Sequence, residues 1–79
     1  MRTIEDEVAN VLTTLLSRPV LSHDNVTMKE CEAWDSFKHI EIIMTMEQKF
    51  GISIALERIP ALTSQAEIVA ELKDMMSYD

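Results

Sequence analysis

The sequence predicts an all-α domain: a four-helix bundle with a long loop between helices 1 and 2 and a short helix 3. Three observations point there. The 79 residues are 47% hydrophobic yet include one Gly, two Pro, one Trp, one Tyr and two Phe, a composition poor in the turn residues that a sandwich or barrel needs. Apolar residues recur at helical spacing in three separate segments. Each of those segments opens on a residue suited to cap a helix. At this length the chain makes a single domain, 1–79, whose small core needs every helix.

The first helix starts after Thr3, with Asp6 three residues on as a capping-box variant and acids at 5, 6 and 7 favouring the positive helix end. Ile4, Val8, Val11, Leu12, Leu15 and Leu16 form its stripe, each contributing roughly 1.5–3 kcal/mol if fully buried, an upper figure. Pro19 marks the stop. From Ser17 to Asp35 no period is evident, and so long a structureless stretch in a small domain points to function or to hidden structure. Val20, Leu21, Val26, Met28 and Trp34 are placed to pin it across the bundle, and a helical turn is expected near residues 27–31.

The second helix is expected from Ser36 to Phe50, with Asp35 as N-cap and Gly51 free to take the left-handed conformation that ends it. Ile52, Ser53 and Ile54 read as an extended connector. A short third helix over Leu56–Leu62 is limited by Pro60. The last helix opens at Thr63 or Ser64, where Ser64 and Glu67 fit a capping box, and its stripe is Ala66, Ile68, Val69, Leu72 and Met75 or Met76.

The second helix has more apolar surface than one core contact uses. Ile42, Ile43, Met46 and Phe50 make one stripe, and Phe37, Ile40 and Met44 make another, displaced around the axis. Two stripes mean either deep burial or a second surface kept for a ligand or partner.

Seven basic and fourteen acidic residues give a formal net charge of −7. Such a surface repels phosphate backbones and anionic membranes, so nucleic acid is excluded and a basic protein partner is the natural complement. Lone Cys31 permits no disulfide within the chain, and no apolar run approaches membrane-spanning length or a signal segment. The expectation is a cytoplasmic monomer with no membrane insertion. His23, Cys31 and His39 match no common zinc spacing, so no metal is expected. Ser36 and His39, at i and i+3, allow contact on one helix, but no glycine-rich elbow accompanies them, so no catalytic residues are assigned. The loop of a helical calcium sensor is also missing.

Asp35-Ser36-Phe37, then Ile40-Glu41-Ile42-Ile43-Met44, Met46-Glu47 and Phe50-Gly51-Ile52-Ser53-Ile54 together resemble the acyl carrier proteins. That family's motif is Asp-Ser-Leu, a helix with a Val/Ile-Glu pair and a Glu-x-x-Phe-Gly-Ile-x-Ile close. The resemblance extends over the whole chain. It implies that Ser36 receives 4′-phosphopantetheine from coenzyme A through a separate phosphopantetheinyl transferase. The arm then holds acyl groups as thioesters, with Asp35 capping the helix beside it. By the same resemblance Phe37, Ile40, Glu41, Met44 and Glu47 would meet partners: acyl-activating enzymes, acyltransferases or synthases.

Some positions depart from the carriers of fatty-acid synthesis. Phe37 replaces the usual Leu, Lys38 stands where an acid is typical, and Lys49 adds a second positive charge. His39, expected near the mouth of an acyl pocket, is larger and more polar than the usual residue. Trp34 and His39 look like a subgroup of free-standing carriers for specialised, polyketide-like or other secondary pathways. Two alternatives stay open: an aminoacyl or peptidyl carrier, and an unmodified helical adaptor that binds a partner through Phe37, Ile40 and Met44.

Overall fold

The structure, a computed structural model, describes residues 3–76. The first two residues of the N-terminal stretch read above, and positions 77–79 of the expected domain, lie outside them. Helix α1 spans Ile4–Leu16, α2 Ser36–Phe50 and α3 Gln65–Met75, with a 3₁₀ helix at Leu56–Ala61. The all-α class, the long first connection and the short third helical element are therefore present. Among the described residues no helix is long and apolar enough to cross a membrane.

Helix α1 packs against both α2 and α3. Its capping box is complete: the Thr3 hydroxyl accepts from the Asp6 amide at 3.1 Å, and Asp6 Oδ2 accepts from the Thr3 amide at 3.3 Å. Val8, Val11, Leu12 and Leu16 are buried as the stripe predicts, Ile4 and Leu15 partly so, and Ala9 joins them. The helix ends before Pro19 acts: Ser17 takes the left-handed conformation at φ 56° and turns the chain two residues earlier. From the last turn of α2, Lys49 pairs with Glu7 at 3.0 Å, and from the last turn of α3, Lys73 pairs with Glu5. Both helices thus run antiparallel to α1 and parallel to each other. The C-terminus of α1 shares one pole of the bundle with the N-termini of α2 and α3.

The connection from 17 to 35 is anchored, not loose. Thr27 and Ser64 form an antiparallel bridge, with the Met28 amide donating to the Thr63 carbonyl and the Gln65 amide to the Val26 carbonyl, both at 2.8 Å. Gln65, 1% exposed, completes the attachment. Its Oε1 accepts from the Val26 amide at 3.1 Å and its Nε2 donates to the Leu21 carbonyl at 2.9 Å. Asn25 Oδ1 accepts from the Ala66 amide in the first turn of α3. At the other side, the Thr13 hydroxyl accepts from the Val20 amide and donates to the Val20 carbonyl. The turn expected near 27–31 is present, closed by the Glu30 and Cys31 amides on the Thr27 carbonyl.

Val20, Val26 and Trp34 are buried and Met28 partly so. Leu21 corrects the expectation: its side chain is exposed, and its carbonyl does the anchoring. Gly51 ends α2 at φ 64° as expected. Ser64 caps α3, but the Glu67 carboxylate accepts from the Ser64 hydroxyl and not from its amide, so the box is only half closed. In α3, Ile68 and Leu72 are buried and Val69 half-buried, whereas Ala66 and Met75 are exposed.

Two outcomes follow from these attachments. Gln65→Ala leaves the buried Val26 amide without a partner, at about 1–3 kcal/mol, while the Leu21 carbonyl keeps only the Asp24 amide; urea unfolding reads the loss, and an unchanged midpoint contradicts the anchoring role. The Lys73 hydrogen bond, helped by its own backbone amide, holds the Glu5 carboxyl below its ordinary value of 4.5. Its depressed value means that its contribution is full above the unfolded value and is lost as pH falls through the folded one. In Lys73→Met, the Glu5 side-chain resonance titrates at higher pH than in the parent.

Candidate functional site

Ser36 is the first residue of α2, directly where the long connection meets the helix. The preceding Asp35 is extended, φ −93° and ψ −175°, and its Oδ1 accepts from the Lys38 amide at 2.8 Å. Its carbonyl takes the first helical hydrogen bond, from the His39 amide at 2.8 Å. The cap expected of Asp35 is therefore in place. Ser36 is exposed, and among the described residues its hydroxyl has no hydrogen-bond partner.

This turn is held from both sides. Trp34, two residues before Ser36, is 1% exposed, and His39, three residues after it, is buried. The indole Nε1–H donates to His39 Nδ1 at 3.0 Å, and His39 Nε2 lies 2.8 Å from the Ile59 carbonyl on the 3₁₀ helix. An indole nitrogen only donates and a carbonyl only accepts, so these partners fix the neutral Nε2–H form of the ring. His39 thus lies in the interior with both ring nitrogens engaged.

The second apolar stripe of α2 faces outward. Phe37 is 83% exposed, Ile40 48% and Met44 59%, while Ile42, Ile43 and Met46 on the other stripe are buried. Phe50 of the buried stripe packs only partly against the core. Ser36, Ile40 and Met44 follow at i, i+4 and i+8, so the hydroxyl heads the exposed apolar strip. Leu56, exposed on the 3₁₀ helix, is a further uncovered apolar side chain that the sequence did not single out.

The charged members behave differently from one another. Glu41, exposed, pairs with Lys38 at 2.9 Å one turn back. Glu47 is half-buried, and its Oε2 accepts from the Ile54 amide at 2.8 Å, fixing the connector after α2. With Met44, Thr45, Gln48 and Ile52, these two acids line an open cleft of about 470 Å³. Lys49 turns instead to Glu7 on α1. His23 is exposed, Cys31 is buried, and among the described residues no group of three or more His, Cys, Asp or Glu is placed to hold a metal.

The structure brings together Asp35, Ser36, Phe37, Ile40 and Met44 as one helix end with one exposed strip, with Glu41 and Glu47 further along. Sequence reasoning missed the Trp34–His39–Ile59 chain, since periodicity does not tell a buried polar ring from an apolar one. Asp35→Ala removes the cap and costs about 1 kcal/mol, read in chemical denaturation, whereas Asp35→Ser keeps most of that stability. Equal losses in both variants contradict the capping role.

No protein-family model matches the chain, and no significantly similar relative is found among curated proteins.

Proposed function

We propose that this chain is a discrete acyl carrier protein, loaded through Ser36 and serving a specialised pathway. The observation that carries the reading is Ser36 itself: an exposed hydroxyl, unpartnered among the described residues, on the first turn of a firmly capped helix, at the head of an outward apolar strip. It coincides with the Asp35-Ser36-Phe37 motif on which the resemblance to acyl carriers rests.

The residues present fit a phosphodiester at this position. Amides of a first helical turn favour an anion by about 0.3–1 kcal/mol when exposed. The Asp35 carboxylate is already turned to the Lys38 amide, which limits its repulsion of a neighbouring phosphate. When bound, the 4′-phosphopantetheine arm supplies a thiol that carries acyl groups as thioesters. In the loading step the Ser36 oxygen forms a bond to phosphorus, the pyrophosphate link of coenzyme A breaks, adenosine 3′,5′-bisphosphate leaves and the serine proton is released. The transferase provides the acid–base groups. Phe37, Ile40 and Met44 offer partner enzymes an apolar contact beside the tether, with Glu41 at its border.

A second reading is favoured by the same strip: exposed Phe37, Ile40 and Met44 suit a helical adaptor that needs no modification. Incubation with coenzyme A and phosphopantetheinyl transferases of broad specificity separates the two. Intact-protein mass spectrometry is expected to show one added phosphopantetheine, abolished in Ser36→Ala. No addition with any of several transferases overturns the carrier reading in favour of the adaptor.

A further inference from the structure

Three groups form a chain of hydrogen bonds through the interior: the Trp34 indole, the His39 ring and the Ile59 carbonyl. They belong to three different elements, the end of the long connection, α2 and the 3₁₀ helix. The rings of Trp34 and His39 lie 6.0 Å apart, centroid to centroid, tilted by 33°, so the contact is a hydrogen bond along the ring edges and not a stack. We infer that this chain is a latch closed by one protonation state only: neutral His39 ties the Ser36 turn to the 3₁₀ helix, and a second ring proton opens it.

The argument is one of polarity. The bond at Nδ1 requires a lone pair there, because its partner is an N–H. A proton on Nδ1 sets two donors head to head, and the Trp34 bond is lost. The new N–H then needs an acceptor, and the ring is buried with an indole in front of that nitrogen. Moving the charged ring to water withdraws Nε2 from Ile59 as well, so both bonds of the latch go together.

The charged groups of the surrounding elements do not compensate. On the connection, Glu30 bonds Thr27, Glu32 is exposed and Asp35 caps Lys38. On α2, Lys38 pairs with Glu41, Glu47 holds Ile54 and Lys49 pairs with Glu7. On the 3₁₀ helix, Glu57 is exposed and Arg58 pairs with Glu71 of α3; Glu67 bonds Thr63 and Ser64, and exposed Lys73 pairs with Glu5 of α1. The Cys31 thiol is buried in the core, Asp6 bonds the Thr3 amide, and Asp24 that of Leu21. Exposed Asp74 completes α3. Among the described residues no carboxylate is bonded to His39 to hold a second charge in place.

The inference stands without the carrier reading, and its test needs no cofactor. Trp34 is the chain's one tryptophan, so its emission reports the latch. At neutral pH, ring nitrogen NMR is expected to show His39 protonated at Nε2 and bare at Nδ1. Acidification from neutral pH is expected to move Trp34 emission and the Ser36 and Ile59 amides together in one step. His39→Gln supplies an acceptor and a donor that do not titrate, so the step disappears. Trp34→Phe removes the N–H that demands a bare Nδ1, so His39 is no longer held to the single Nε2–H form. The opposite tautomer overturns the latch, as does the lack of a shared step, its persistence in His39→Gln, or an unchanged ring-nitrogen spectrum in Trp34→Phe. The NMR and Trp34→Phe results decide the matter even if His39→Gln fails to fold.

Discussion

The fold depends on α1 being shared. It is the element on which both other α-helices pack, and Val8 and Leu12 are completely enclosed. With so few residues, one central apolar strip must serve two helices at once. Truncating either side chain leaves a void under both, at about 2–5 kcal/mol for a leucine. The lysines of α2 and α3 that reach back to Glu5 and Glu7 set direction more than strength, since exposed ion pairs contribute little.

Because α2 and α3 run the same way, their N-termini meet the long connection at one pole. The connection is thereby able to satisfy its own backbone against α3, through Thr63, Ser64 and Gln65, instead of against water. It also delivers Trp34 into the core directly before the Asp35 cap. The exposed serine is thus fixed at the end of a covered segment, and its neighbours cannot drift without disturbing buried bonds. That combination of a rigid base and an unengaged hydroxyl is what a modifying enzyme or a docking partner would meet.

Much of this was legible in the letters. Caps at Thr3, Asp35 and Ser64 and the stop at Gly51 set helix limits locally, through side chains that bond amides a few residues away. The two stripes of α2 left deep burial and an uncovered face both open, and Phe37, Ile40 and Met44 are uncovered. The interior polar bonds were not legible. Gln65 looks like an ordinary first helical residue, Thr13 like a solvated helix position, and nothing local to His39 names its two ring partners. Each owes its role to partners between 5 and 44 positions away, and no local period encodes such distances. Leu21 was misplaced for the related reason that a loop can be held by its carbonyl while its side chain stays in water.

Thr3 and Met76 line one small cleft together with Lys49 and Phe50. The first and last described residues therefore neighbour each other at the far end of α2, about 21 Å along its axis from Ser36. Neighbouring domains, tags or surface tethers joined there would occupy the hemisphere facing away from the serine. Chain extension in either direction is geometrically compatible with an unobstructed hydroxyl, and a fusion at both ends at once would crowd its own attachment points before it crowded Ser36.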